Sequence, residues 1–272
     1  MNIVVGVDGS SCSTIACDLV AATAWPADSY VRLVAACEAP LDGPDTDVPR
    51  DLAAALDEQA AWLRSRGLVT ECVVRRGRAA SVLLACATEM AADLIVVGSR
   101  GHGVAATALL GSVSATLADH APCPVLVVRR PQIRRILFAA DASESVQAIP
   151  LILGVWGAFT SLPVDVVTVA PSCAEARAIA DSTAHRLTAL GMRATSRVLV
   201  GNPAREIERV AADGDVDLIV TGSRGLGQLQ RLLLGSVAHH VLLHARSSVL
   251  IMRGHVPARL REHEAERFAL AM

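Results

Sequence analysis

The chain contains no lysine: all 25 of its basic residues are arginine. This excludes the lysine of a Walker loop, a Schiff-base lysine and a lysine general base. Aromatic residues make up only 3% of the 272 positions, so the cores have to be built from Ala, Val, Leu and Ile. No apolar run approaches the ~20 residues of a membrane span. The N-terminus MNIVVGVDGS has no basic region followed by an apolar stretch, so no signal peptide is expected. Seven cysteines, an odd number, include no CxxC pair. Cys17 and Cys86 sit in apolar surroundings and read as reduced core fillers. These absences predict a soluble, cytoplasmic protein with no membrane partner. The net charge of −2 argues against a nucleic-acid surface.

What the chain does have is repetition. Residues 93–103 read DLIVVGSRGHG and residues 217–227 read DLIVTGSRGLG, with nine of eleven positions identical at an offset of 124 (217 − 93). At the same offset, Gly77-Arg78-Ala79-Ala80 falls on Gly201-Asn202-Pro203-Ala204, and Gly111-Ser112-Val113 on Gly235-Ser236-Val237. The chain is two copies of one unit. Their boundary lies near Arg129-Arg130-Pro131, giving domains at 1–130 and 131–254. Residues 255–272 fall outside the repeat and read either as a polar helix or as a frayed tail.

Each copy alternates short apolar runs with Ala- and Leu-rich segments of helical spacing. In the first copy strands are expected near 3–7, 30–37, 69–75, 94–97 and 125–128, with helices between them. A Pro/Asp/Gly stretch at 38–49 reads as a loop. The alternation predicts α/β domains with parallel sheets, right-handed crossovers and helices on both faces. Asp141 matches Asp8 at an offset of 133 rather than 124, so the second copy lacks nine residues, which the loop at 38–49 can supply.

Both copies carry the spacing G-x-x-G-x9-G-S: Gly98, Gly101, Gly111, Ser112, and Gly222, Gly225, Gly235, Ser236. Gly98 would let a ligand lie against the strand end without meeting a Cβ. Gly101 would let the chain turn its amides toward an anion. Gly111-Ser112-Val113 opens a helix whose free N–H groups attract phosphate. The plainer alternative is an ordinary turn with Ser112 as N-cap. The motif is neither the dinucleotide fingerprint nor a Walker loop. Arg100 and Arg224, inside GSRG, could neutralise phosphate or be solvated loop charges. Asp8 ends the first strand, where it could accept hydrogen bonds from a ribose or an amine, or bond its own turn.

Val7-Asp8-Gly9-Ser10, Gly77-x-Ala79-Ala80, the two glycine loops, and Ser112-Val113-Ser114 leading to Cys123-Pro124-Val125-Leu126-Val127-Val128 resemble the universal stress protein family, in a tandem two-domain form. The resemblance implies two doubly wound domains, each a five-stranded parallel sheet of order 3-2-1-4-5, paired through their last strands. It implies ATP binding, with magnesium, and a regulatory role in stress adaptation. Its nucleotide residues map onto Asp8, Gly98, Gly101, Gly111 and Ser112, with Arg100 and Val113 as further candidates beside them. In the second copy they map onto Asp141, Gly222, Gly225, Gly235 and Ser236, with Arg224 and Val237 as further candidates. The copies depart from the family in different places. The first lacks the Arg often found inside the loop. The second has it (Arg231), but reads Ala140-Asp141-Ala142-Ser143 in place of VDGS.

An alternative reading is a slow nucleotide hydrolase or an adenylyl-transferring enzyme. The SGGxDS-type loop of adenylylating relatives is absent, and no Ser-His-Asp or Cys-His set is recoverable from spacing, so no catalytic residue is assigned. His240 and His244 have chelating spacing, but no HExxH pattern or Cys partner accompanies them, so no metal site is expected. The apolar runs Val125–Val128 and Val249–Met252 are edge-strand candidates and predict a homodimer that covers them, the alternative being that the two halves cover each other's edges and leave a monomer.

Overall fold

The apolar runs form the strands and the Ala- and Leu-rich segments form the helices. In this computed structural model residues 1–37, 49–101, 110–143, 146, 149–170, 173–223 and 234–253 are described. The loop at 38–48, the tail at 255–272, Arg224, Gly225 and Arg231 lie outside them. The first copy runs β1 (Asn2–Gly6), α1 (Ser11–Ala22), β2 (Tyr30–Cys37), α2 (Arg50–Ser65), β3 (Val69–Arg76), α3 (Ala79–Glu89), β4 (Leu94–Gly98), α4 (Ser112–His120) and β5 (Val125–Val128). The second runs β6 (Ile136–Ala139), α5 (Ile149–Trp156), β7 (Pro163–Val169), α6 (Cys173–Ala189), β8 (Arg193–Leu199), α7 (Pro203–Asp213), β9 (Leu218–Gly222), α8 (Ser236–His244) and β10 (Ser248–Met252).

The nine-residue difference falls where expected. The connection from β2 to α2 is residues 38–49, twelve positions, and its counterpart from β7 to α6 is residues 170–172, three positions.

The strand order is β3-β2-β1-β4-β5-β10-β9-β6-β7-β8, which is 3-2-1-4-5 in each half. Pairing within each half is parallel; β5 and β10 join the halves antiparallel, with Val127 opposite Val249 and Leu126 opposite Leu250. The two sheets are therefore one ten-stranded sheet. The homodimer argued from exposed β5 and β10 edges loses its motive, because each strand covers the other. The open edges are β3 and β8, which carry Glu71, Arg75 and Arg76, and Arg193 and Arg197. Charges of this kind discourage edge-to-edge pairing.

Alternation along the strands splits the core into two layers. Ile3, Val5, Leu94 and Val96 pack with α1, α2, α5 and α6 on one face. Val4, Ile95 and Val97 pack with α3, α4, α7 and α8 on the other. Each layer draws residues from both halves, so the core continues across the β5–β10 seam. Among the described residues no helix is long and apolar enough to cross a membrane.

Cys12, Cys17, Cys37, Cys72, Cys86 and Cys123 are free thiols. Burial pushes the Cys17 and Cys123 thiols from 9.0 up to about 12, with Asp18 and Asp93 as the second causes. A group whose pKa rises on folding stabilises the fold below its unfolded pKa and loses that contribution as pH rises toward the folded value. The urea midpoint is therefore expected to fall between pH 9 and 12. Replacing both thiols by Ala should flatten that part of the profile; an unchanged profile would contradict their burial.

Candidate functional site

In doubly wound sheets ligands bind beyond the carboxyl ends of the strands, where the winding reverses. Here that point lies between β1 and β4. A cleft of about 480 Å³ opens there, lined by Asp8, Gly98, Arg100, Gly101, Gly111, Ser112 and Val113. All seven residues expected in the first copy thus share one cleft. Its apolar walls include Val34 and Ala36 of β2, Leu52 of α2, Leu83 of α3 and Val97 of β4. These were not singled out from sequence; Ala79, in the repeated Gly77-Arg78-Ala79-Ala80, also lines the cleft and was the available signal.

Asp8 plays the turn role. Its Oδ1 accepts a hydrogen bond from Ser10 N at 2.9 Å, and Gly9 between them has φ +79°, a left-handed conformation that favours glycine. Ser10 is the N-cap of α1 and accepts from Ser13 N. This leaves Oδ2 to face Gly101.

The glycines have packing reasons that the sequence did not show. A Cβ at Gly98 would lie 2.6 Å from the carbonyl carbon and oxygen of Cys12. The first turn of α1 packs against the end of β4 here, and that packing by itself calls for a glycine. A Cβ at Gly101 would overlap Asp8 Oδ2, and Gly101 is not among the positive-φ glycines. Its requirement is close approach to the carboxylate rather than a special turn. Gly111, not Ser112, is the N-cap of α4; its N–H donates to Ser99 O at 2.7 Å, and it has no side chain with which to cap the helix. The first turn of α4 therefore presents its amides to the cleft. Ser114, missed from sequence, donates from Oγ to Gly98 O at 2.7 Å and ties α4 to the strand end.

The second copy repeats part of this frame. Gly222 ends β9, and Gly235 is the uncapped N-cap of α8, with Ser236 and Val237 in its first turn. Gly235 N donates to Ser223 O at 2.8 Å. Asp141 is bound more tightly to its turn than Asp8: Oδ1 accepts from Ser143 N at 2.9 Å and from Ser143 Oγ at 2.5 Å. Ala238 stands where the first copy has Ser114, so the tie from helix to strand end is lost. Arg224 and Gly225 belong to the undescribed residues.

The aspartate that opens each repeated phrase lies at the other end of its strand. Asp93 Oδ2 accepts Asn2 N at 2.7 Å and Asp217 Oδ2 accepts Arg134 N at 2.9 Å, so both anchor the chain entering the central strand of their half. His240 and His244 stack at 4.2 Å; His240 Nε2 meets Glu208 Oε2 at 2.8 Å and His244 Nδ1 meets the His240 carbonyl. Among the described residues no group of three or more His, Cys, Asp or Glu could hold a metal.

The fold and the cleft define a class: a tandem doubly wound α/β protein with a glycine-loop cleft at the switch point of its first copy. The family model for universal stress proteins matches residues 1–129 and again 132–253, and the chain belongs to that family. A universal stress protein of Mycobacterium tuberculosis is 30% identical over 273 residues, covering 93% of this chain and 96% of that relative. One from Synechocystis is 31% identical over 166 residues, 59% of this chain and 58% of its own length. The fold is that of a universal stress protein solved from Archaeoglobus fulgidus, with TM-score 0.67 at 17% identity over 93% of this chain and 98% of that one.

Proposed function

We propose that the chain is an ATP-binding regulator of stress adaptation, acting in the cytoplasm, with the first cleft as its principal nucleotide site. The observation that carries this reading is the convergence of Asp8, the glycine loop and the open first turn of α4 on one cleft of about 480 Å³. That volume lies in the range of small-molecule sites, ~300–1,000 Å³. The amides of α4 and Arg100 suit the phosphates, and the apolar wall from β2, α2 and α3 suits a base. Asp8 Oδ2 is the carboxylate positioned to hold magnesium beside the phosphates or to accept from a ribose. The second copy is proposed to bind in the same way, Asp141, Arg224 and Gly225 being its counterparts of Asp8, Arg100 and Gly101 in the repeat. Binding itself is the signal: fast phosphoryl transfer needs a positioned nucleophile, metal ligands and cations on the developing charge, and one carboxylate does not supply them.

Two measurements test this. Mass spectrometry of nucleotide released from freshly purified, denatured protein is expected to find adenine nucleotide. In calorimetry, Gly101→Ala is expected to weaken ATP binding about tenfold or more, because its Cβ displaces the Asp8 carboxylate. Wild-type protein with no affinity for ATP at millimolar concentration would end the nucleotide reading. A Gly101→Ala variant that binds as wild type would remove Asp8 and Gly101 from the site.

A further inference from the structure

The arginine that follows the last strand of each copy reaches into the other copy. Arg129, directly after β5, donates from Nη2 to Leu242 O at 2.6 Å and from Nη1 to Ser247 O at 3.2 Å. These carbonyls lie in and just beyond the last turn of α8. Arg253, directly after β10, donates from Nη2 to Ala118 O and to Leu117 O, in the last turn of α4. The pairs are equivalent at the repeat offset of 124: Arg129 with Arg253 (253 − 129), and Ala118 with Leu242 (242 − 118). A cation on the final carbonyls satisfies groups that a helix end leaves open and complements its dipole.

Each arginine also stands beside the end of its own copy's fourth strand. Ser99 N donates to Val128 O at 3.0 Å, so Arg100, in the first cleft, and Arg129 both emerge from the same ends of adjacent strands. Ser223 N donates to Met252 O at 2.8 Å, which places Arg253 likewise beside Ser223 at the end of β9. A further bond crosses the seam: Leu234 N, just before the N-cap of α8, donates to Asp119 Oδ1 of α4 at 3.3 Å. α4 thus begins at the first cleft and ends on Arg253, while α8 ends on Arg129, beside the first cleft.

We infer that Arg129 and Arg253 are positioning residues of a reciprocal latch, through which nucleotide in one cleft acts on the phosphate helix of the other. The inference rests on the nucleotide reading above. Occupancy of the first cleft orders the first turn of α4 and the Arg100 region; the displacement reaches α8 through Arg129. Arg253 in turn holds α4 in register with the first cleft. Burial, and secondarily Arg100, lower the Arg129 pKa to about 10, in keeping with two guanidinium groups held close together.

The test is hydrogen exchange of the full chain with and without ATP and magnesium, on wild type, Arg129→Met, Arg253→Met and Arg253→Lys. In wild type, ATP should slow exchange in the first turn of α4 and also alter it at residues 242–248. Arg129→Met should keep the first effect and lose the second. Arg253→Met should bind ATP about tenfold more weakly at the first cleft, within the usual range of coupling between sites, and Arg253→Lys should recover most of that loss. If Arg253→Met does not fold, Arg253→Lys and Arg129→Met still decide. An α8 response that persists in Arg129→Met, one absent from wild type despite protection of α4, or wild-type affinity in Arg253→Met would overturn the latch. No protection anywhere in wild type would instead remove the nucleotide reading, and the latch with it.

Discussion

Leu126→Asp is expected to unfold the protein or separate its halves. Leu126 faces Leu250 across the only antiparallel pairing among the described strands, and both are essentially without solvent exposure. A carboxylate there would be buried with no partner, and an uncompensated buried charge costs on the order of 3–5 kcal/mol. Native proteins have only ~5–15 kcal/mol to lose. Because the core layer around Leu126 draws on both halves, the damage spreads across the seam. If the halves part, β5 and β10 become the exposed apolar edges they would be in an isolated domain, and self-association follows. The variant should show a lower urea midpoint and a larger mass by light scattering. Leu126→Met, which keeps volume and polarity, should cost less than about 1.5 kcal/mol. Equal midpoints for wild type and Leu126→Asp would mean that the seam does not hold the halves together.

Gly98→Ala is expected to be the most damaging single-methyl change at the candidate site. Its Cβ would sit 2.6 Å from the carbonyl carbon and oxygen of Cys12 and 2.8 Å from Cys12 Cβ. Two of these contacts are backbone, so no side-chain rotation relieves them, and the first turn of α1 has to move away from β4. Overpacking of this kind costs about 3 kcal/mol. The same turn begins just after Asp8, Gly9 and Ser10, so ATP affinity should fall together with stability. Gly111→Ala is the matched control. Its nearest neighbours would be Arg100 Cα at 3.4 Å and Ser99 O at 3.5 Å, ordinary contacts, so stability should change little. Urea denaturation of both variants separates the two explanations for these glycines. If Gly98→Ala kept wild-type stability but lost nucleotide, Gly98 would serve ligand approach after all, and the packing explanation would fail.

Much of the architecture could be read without coordinates. The apolar runs at 30–37 and 125–128 became strands with those same ends, and Ser112–His120 became a helix. Strand and helix periods depend on neighbours two to four residues away, which the chain carries locally. The nine residues lost from the β2–α2 connection were visible because two copies can be compared. The cleft residues were legible because phosphate sites reuse the same local parts, a glycine turn and a helix start. The reasons for the glycines at 98 and 101 were not. Each depends on which atom lies opposite the missing Cβ, Cys12 in one case and Asp8 in the other, and both stand some ninety residues earlier in the chain.

By itself, then, the sequence determined the duplication, the alternation of strands and helices, the two glycine loops and the exclusion of lysine chemistry. The family resemblance implied pairing through the last strands; tertiary structure decided between that and an edge shared with a second molecule, and set the antiparallel β5–β10 register. Tertiary structure alone placed Arg129 on α8 and Arg253 on α4, across separations of 113 and 135 residues. The physical reason is the same for both. Edge pairing and helix-end capping are satisfied by any suitable group that arrives, and which group arrives is settled only when both sheets have formed and closed against each other.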